Sequence, residues 1–217
     1  SLGIMRVALS HGCVPYGNAK ARAVAWNLPD PVPVHREPVY TPRPDLASEF
    51  PAIEDRREFR LPLLNRSVQI AAIEAGIVED YPFVYTSGRL VEYEGGGEET
   101  RSNPWLAELQ QQMFAEINVA DAERLGIGDG EDIWISGPEG GRSRMAALVT
   151  ERVAPGVVFL PFHFSGEWEG ESLRDRYPEG TDPIVIGAPA NAVTTYGYDP
   201  VTYMQETKVT LCRVEKA

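Results

Sequence analysis

The chain has 217 residues, 43% apolar and 24% charged, a composition that suits ordinary globular material with one or two cores. Its net charge of −12 argues against a nucleic-acid partner, because binding phosphate needs a basic face that releases counterions. No run of about 18 apolar residues is present to cross a membrane.

Taken in order, the first dozen residues place one arginine in a short apolar run without a clear small-residue cleavage site, too weak a pattern for a signal peptide. Residues 23–62 then carry Pro29, Pro31, Pro33, Pro38, Pro42, Pro44, Pro51 and Pro62, a density that excludes regular helix and discourages central strand. Trp26, Tyr40 and Phe50 recur through this segment. A disordered tail rarely carries aromatics in that way, so the segment reads as an ordered, extended strap lying across a partner domain. A short helix is expected from Ser67 to Ala75, ending near Gly76.

From Tyr81 the texture changes to short β-rich runs between turn residues. Strands are expected at Phe83–Thr86, Ile133–Ser136, Met145–Thr150, Val157–Pro161 and Lys208–Val214. Asn103 and Pro104 open a helix to about Gln111. Asn118 caps a second helix, which Gly126 closes. Gly137–Gly141 reads as a hairpin turn.

Several chemistries find no support in the residues. Gly137–Gly141 lacks the Gly-Lys-Ser/Thr of a phosphate loop and no helix follows it, and there is no Gly-x-Ser-x-Gly. Cys13 and Cys212 stand near opposite ends, and His11, His35 and His163 are far apart, so no spacing supports a zinc or iron–sulfur site in this chain alone. The stretch Tyr85–Trp105 carries the strongest ligand signal. A strand-like run stops there at Gly88, Arg89 and the glycines 95–97. Glycine lets backbone approach a ligand, and the arginine fork suits phosphate oxygens.

Five elements stand in order: Thr86-Ser-Gly-Arg89, Glu116–Gly130, Pro161-Phe-His-Phe-Ser-Gly166, Asn191-Ala-Val-Thr194 and Glu206-Thr-Lys208. Together they resemble the C-terminal dinucleotide-binding domain of molybdenum or tungsten bis-pterin oxidoreductases, and most closely that of formate dehydrogenase catalytic subunits. The resemblance implies a mainly β fold with peripheral helices. A six-stranded double-psi β-barrel would occupy residues 81–217, and residues 1–80 would be the proline-rich strap and short helix, a remnant of the preceding domain.

The resemblance also implies a function: binding molybdopterin guanine dinucleotide, in its bis form with Mo or W, as the C-terminal part of an enzyme that oxidises formate to carbon dioxide. The alternatives are the equivalent domain of another bis-pterin enzyme such as a nitrate reductase, or a non-catalytic β-barrel binding or assembly module. The family's N-terminal part supplies an iron–sulfur cluster and the metal-ligating cysteine or selenocysteine. No such ligands occur here, so this chain would hold no metal or catalytic residue and would be inactive alone, as a C-terminal fragment or one piece of a split enzyme. Its expected partners are the remainder of the catalytic subunit and an iron–sulfur electron-transfer subunit, with no nucleic acid and no membrane span. The periplasm is the expected compartment and the cytoplasm the alternative.

Nine cofactor-binding residues follow. Thr86, Ser87 and Gly88 would offer hydroxyl and backbone donors, against ordinary turn chemistry. Arg89 would meet a phosphate or pterin group, against a surface loop arginine. Glu92 would accept from pterin amino and ring N–H groups, and Asn191 would read a pterin or guanine edge, against a plain loop residue. His163 would donate a hydrogen bond, against a satisfied core histidine. Lys208 would serve as a cation, against an exposed strand-edge lysine. Gln205 completes the set; Arg101 is expected to pair with Glu98 or Glu99, and Tyr198 to be core.

Overall fold

Buried and outward side chains alternate along strand β1, Phe83–Gly88, so that Phe83, Tyr85 and Ser87 point inward. The same alternation recurs in β3, Asp132–Ser136, and in the first six residues of β4, Arg142–Val149. With β2, Phe114–Ile117, β5, Val157–Pro161, and β8, Thr210–Lys216, these strands close a barrel in the order β1-β5-β2-β4-β3-β8. This is a computed structural model, and it describes residues 34–52, 68–180, 186–195, 197 and 204–217. Two short strands, β6, Glu167–Trp168, and β7, Glu171–Ser172, form a separate hairpin.

Two pairs are parallel: β1 with β5, from Val84↔Val157 to Gly88↔Pro161, and β2 with β4, from Phe114↔Ala146 to Ile117↔Val149. The other four contacts are antiparallel. Parallel neighbours need crossover connections, and two such crossings in one closed ring make the double-psi barrel expected from the sequence. Closure leaves the barrel itself without an open sheet edge. The interior is filled by Phe83, Tyr85, Ile117, Ile133, Ile135 and Leu160, each 1% exposed or less.

The strand directions put particular chain segments together. The C-terminal ends of β1, β3 and β5 and the N-terminal ends of β2, β4 and β8 share one end of the barrel. Residues 86–92, 137–143, 161–163 and 207–210 therefore meet there, although more than 100 positions separate the first from the last.

The helices are short and locally encoded. Helix α1 spans Val68–Glu74 and α2 spans Ile77–Asp80, separated by Gly76 at φ +68°. In α3, Pro104–Leu109, the Asn103 side chain accepts from the Trp105 and Leu106 amides. In α4, Val119–Leu125, Asn118 accepts from Ala120 N, and Gly126 at φ +66° returns its N–H to the Ala122 and Glu123 carbonyls.

Some boundaries depart from the sequence expectations. Strand β4 begins at Arg142 instead of Met145, and β8 runs Thr210–Lys216 instead of Lys208–Val214. Strand β2 supplies the sixth barrel strand, which the sequence reading expects without locating it, since Glu116 interrupts a short apolar run. Its carboxylate is nevertheless buried, and Arg152 beyond β4 pairs with it at 2.7 Å. That compensation comes from another element and has no local signature.

Part of the proline-rich segment is seen, as are its contacts. Val39, Tyr40 and Ala52 pack with Ala72 of α1 and Leu211 of β8 in a second apolar cluster. The described part of the strap thus lies against this barrel itself, which corrects the expectation of a strap lying across a partner domain. Gln69, 1% exposed, fastens it: its Nε2 donates to the Glu37 and Pro38 carbonyls, and its Oε1 accepts from Ala52 N at 2.9 Å. The expectations for Cys13, His11, Trp26, Ser67 and Tyr198 lie outside the described residues.

Candidate functional site

The candidate residues gather at the barrel end defined above. Thr86 faces outward from β1, while Ser87 faces inward and donates from Oγ to the Thr207 carbonyl at 2.9 Å. Gly88 sits where a Cβ would stand 2.6 Å from Cε2 of Phe159, so only glycine lets β1 pass that ring without displacement. Arg89 leaves the strand into solvent, and its Nε donates to the Gly95 carbonyl at 3.2 Å. From the far end of the chain, Lys208 donates from Nζ to Ser87 O at 2.6 Å and to Ser87 Oγ at 3.2 Å.

Arg89 and Lys208 share one aromatic ring. The guanidinium carbon lies 5.8 Å and the ammonium nitrogen 5.0 Å from the Phe162 centroid, both within cation–π range. Neither cation is paired with a carboxylate among the described residues. Burial, and then the neighbouring Arg89, hold the Lys208 pKa below the usual lysine value. Two like charges are thus held together by backbone carbonyls and one ring face, an arrangement that an anion would complete. Phe162 itself carried no sequence signal beyond being an aromatic at a strand exit.

The loop after Arg89 is folded down onto the exit of β5. His163 is fully buried; its Nε2 accepts from Leu90 N at 3.0 Å, and its ring meets those of Phe162 at 4.8 Å and Tyr93 at 5.4 Å in tilted contacts. An accepting Nε2 puts the proton of the neutral ring on Nδ1, which lies near the Gly96 backbone without forming a well-aligned hydrogen bond. Burial is the main cause that lowers its pKa; the Gly96 backbone raises it, Arg101 and Arg89 lower it further and Glu98 raises it. His163 thus faces the loop from beneath and does not reach the surface.

Arg101 departs from its expected pairing with Glu98 or Glu99. It donates from Nε to Gly97 O, and from Nη1 to His163 O at 3.1 Å and to Ser165 Oγ at 3.4 Å, so it clamps the glycine turn to the segment after β5. Gly97 has φ +83°, and a Cβ there would lie 2.9 Å from Arg101 Cγ and 3.2 Å from His163 Nδ1. The loop's compactness therefore depends on a glycine in the left-handed region.

Asn191 lies on the opposite rim. It belongs to the turn Ala190–Ala192, which covers the barrel mouth: the Tyr85 hydroxyl donates to Ala190 O at 3.0 Å and Ser143 Oγ donates to Pro189 O. Its side-chain amide is exposed. In the ring, β1 and β4 are separated by two strands on either side, so Arg89 and Asn191 share an end but not a wall. Gln205 is exposed, and its carbonyl accepts from Thr207 N in the turn leading to Lys208. A cleft of about 670 Å³ runs down the outer wall from this end, bordered by Thr86, Arg89, Glu92, Phe114 and Phe159. It takes in three of the nine residues; His163, Asn191, Gln205 and Lys208 do not line it.

The fold is a closed double-psi barrel with two cations at one end that meet no carboxylate among the described residues. Residues 83–211 match the family described as Molydopterin dinucleotide binding domain, and the chain belongs to that family. It is similar to the alpha subunit of F420-dependent formate dehydrogenase 2 from Methanococcus maripaludis, with 33% identity over 64% of this chain and 18% of the relative. An assimilatory nitrate reductase catalytic subunit from Bacillus subtilis is 29% identical over 48% of this chain and 14% of its own length. Among solved structures, acetylene hydratase from Pelobacter acetylenicus superposes with a TM-score of 0.56 and 18% identity, over 87% of this chain and 22% of that one. The chain spans less than a fifth of the length of these curated relatives.

Proposed function

We propose that this domain grips a molybdopterin guanine dinucleotide as the C-terminal part of a formate dehydrogenase catalytic subunit. The observation that supports the reading is the pair Arg89 and Lys208 over Phe162, charged, adjacent and without a carboxylate partner among the described residues. The residues present suit such a ligand. The two cations would meet its phosphate oxygens, the exposed amide of Asn191 offers a donor and an acceptor to a heterocycle edge, and Thr86 and Glu92 border the adjoining cleft. When bound, the cofactor would supply a redox metal, Mo or W, able to take the two electrons of formate oxidation.

This chain's contribution is placement and electrostatics. Ser87 and Lys208 join the first and last barrel strands, so the cation pair stands on a rigid base. His163 and Arg101 hold the glycine turn against β5 from below, which keeps Arg89 near Phe162. The metal's ligands, the iron–sulfur cluster and the electron-transfer subunit would come from other chain segments and partners.

The reading is tested on the intact complex. Purified enzyme should release guanine nucleotide and pterin on denaturation and reduce an acceptor with formate. Turnover with nitrate in place of formate would move it to the nitrate reductases, and absence of any pterin would reduce the domain to a binding or assembly module.

A further inference from the structure

Glu206 stands between two parts of the molecule that the function above treats separately. Its carboxylate Oε2 accepts from Val39 N of the strap at 3.3 Å, and its own amide donates to Gly197 O at 2.8 Å. Val39 is 1% exposed and belongs to the apolar cluster with Leu211 of β8. The next two residues carry the contacts to the barrel: Thr207 O accepts from Ser87 Oγ, and Lys208 Nζ donates to Ser87 O. The turn Gln205–Lys208 is thus fastened on one side to β1 and on the other to the strap.

Gly197 makes the second side possible. A Cβ there would lie 2.2 Å from Oε2 and 2.9 Å from Cδ of Glu206, and 3.1 Å from Cγ2 of Val39. The nearest atoms are the far end of a flexible side chain, so a methyl group would push the carboxylate off Val39 without breaking the barrel. Glycine at 197 and glutamate at 206 are fitted to each other.

We infer that Glu206 is a positioning residue that couples the proline-rich strap to the turn bearing Lys208, so that the strap is a working part of the anion site. The inference rests on the reading of Lys208 as a ligand-facing cation. Its structural half, that Glu206 holds the turn, stands apart from that reading. Without Glu206 the strap should loosen around Val39, and Lys208 should sample positions away from Phe162.

Hydrogen exchange on the full chain without ligand, in the wild type and in Glu206→Ala, Glu206→Gln and Gly197→Ala, reads the anchor directly. Glu206→Ala and Gly197→Ala should each speed exchange of the Val39 amide and of peptides covering 204–209 about tenfold, as for one lost charge-assisted bond. Glu206→Gln, whose side-chain carbonyl can still accept, should restore most of the protection. Unchanged exchange at 204–209 in Glu206→Ala overturns the inference. Titration with guanosine diphosphate forms the second arm, in which Glu206→Ala should bind about fivefold more weakly than wild type. Equal affinity with a loosened strap also overturns the inference. A wild type that fails to bind guanosine diphosphate overturns the ligand reading of Lys208, leaving exchange to decide whether Glu206 holds the turn.

Discussion

Lys208 reaches back across the barrel seam to the carbonyl of Ser87 at 2.6 Å, joining the approach to the last strand to the end of the first. Ser87 answers with a hydroxyl bond to Thr207 O, so each segment donates to the other. The cation, although its residue is exposed, is thereby tied to the barrel beside Arg89. Loss of either contact should show first in ligand binding and only weakly in fold stability.

Neutralising this pair should weaken anion binding. Arg89→Ala and Lys208→Met are each expected to lower affinity for guanosine diphosphate about tenfold, the usual scale for a hydrogen bond to a charged group. The salt dependence of binding should flatten in both variants, because fewer charges then meet the ligand. Calorimetric titration at two ionic strengths checks this; unchanged affinity in both variants removes them from the site.

His163 makes the glycine loop sensitive to acid. Its folded pKa lies below the ordinary imidazole value of about 6.5. In the window between the two, the unfolded or opened state takes up a proton that the closed state resists. The stabilisation is therefore complete above about pH 6.5 and is lost as pH falls toward the folded value. Protonation also converts Nε2 from acceptor to donor, so Leu90 N loses its partner. Exchange at Leu90 and Tyr93, followed by NMR, should accelerate on acidification, and His163→Phe should abolish that pH dependence.

Gly88→Ala should destabilise the barrel by about 1–3 kcal/mol, the cost of forcing extra volume into a packed site. The added methyl would meet the Phe159 ring at 2.6 Å, with β1 and β5 held in register through Gly88↔Pro161. A urea midpoint within error of wild type would show that the ring can move aside. Gly126 has nothing within 4 Å of its Cβ position, so the cost of Gly126→Ala would come from its left-handed φ alone.

Gln69→Ala should release the strap. The substitution leaves the buried Ala52 amide without its acceptor and the Glu37 and Pro38 carbonyls without their donor, at a cost of about 2–3 kcal/mol. Limited proteolysis should then cut within residues 37–52 well before the barrel is attacked. A strap as resistant as in the wild type would show that the apolar cluster around Val39 and Leu211 is sufficient to hold it.

Local chemistry made much of this protein legible in its residues. Asn103 and Asn118 mark helix starts and Gly126 a helix stop, because caps act within one turn of chain. Runs of β-branched and aromatic residues at Phe83–Thr86 and Ile133–Ser136 mark strands, because such side chains suit a pleated, half-buried surface. The ordered motifs from Thr86 to Lys208 carried the family, and with it the barrel.

Other features depend on contacts between distant positions, and only the tertiary structure decided them. Strand β2 is set by its pairing with β4 and β5, with Arg152 meeting Glu116 from another element, and Arg101 turns to carbonyls at 97 and 163 instead of its acidic neighbours. His163 faces inward to Leu90 because the loop folds over it. Phe162 becomes the shared platform of Arg89 and Lys208 only when barrel closure brings the last strand beside the first. Sequence periodicity reports which way a side chain points within its own element. Which charge or ring it meets there is set by the packing of elements far apart in the chain.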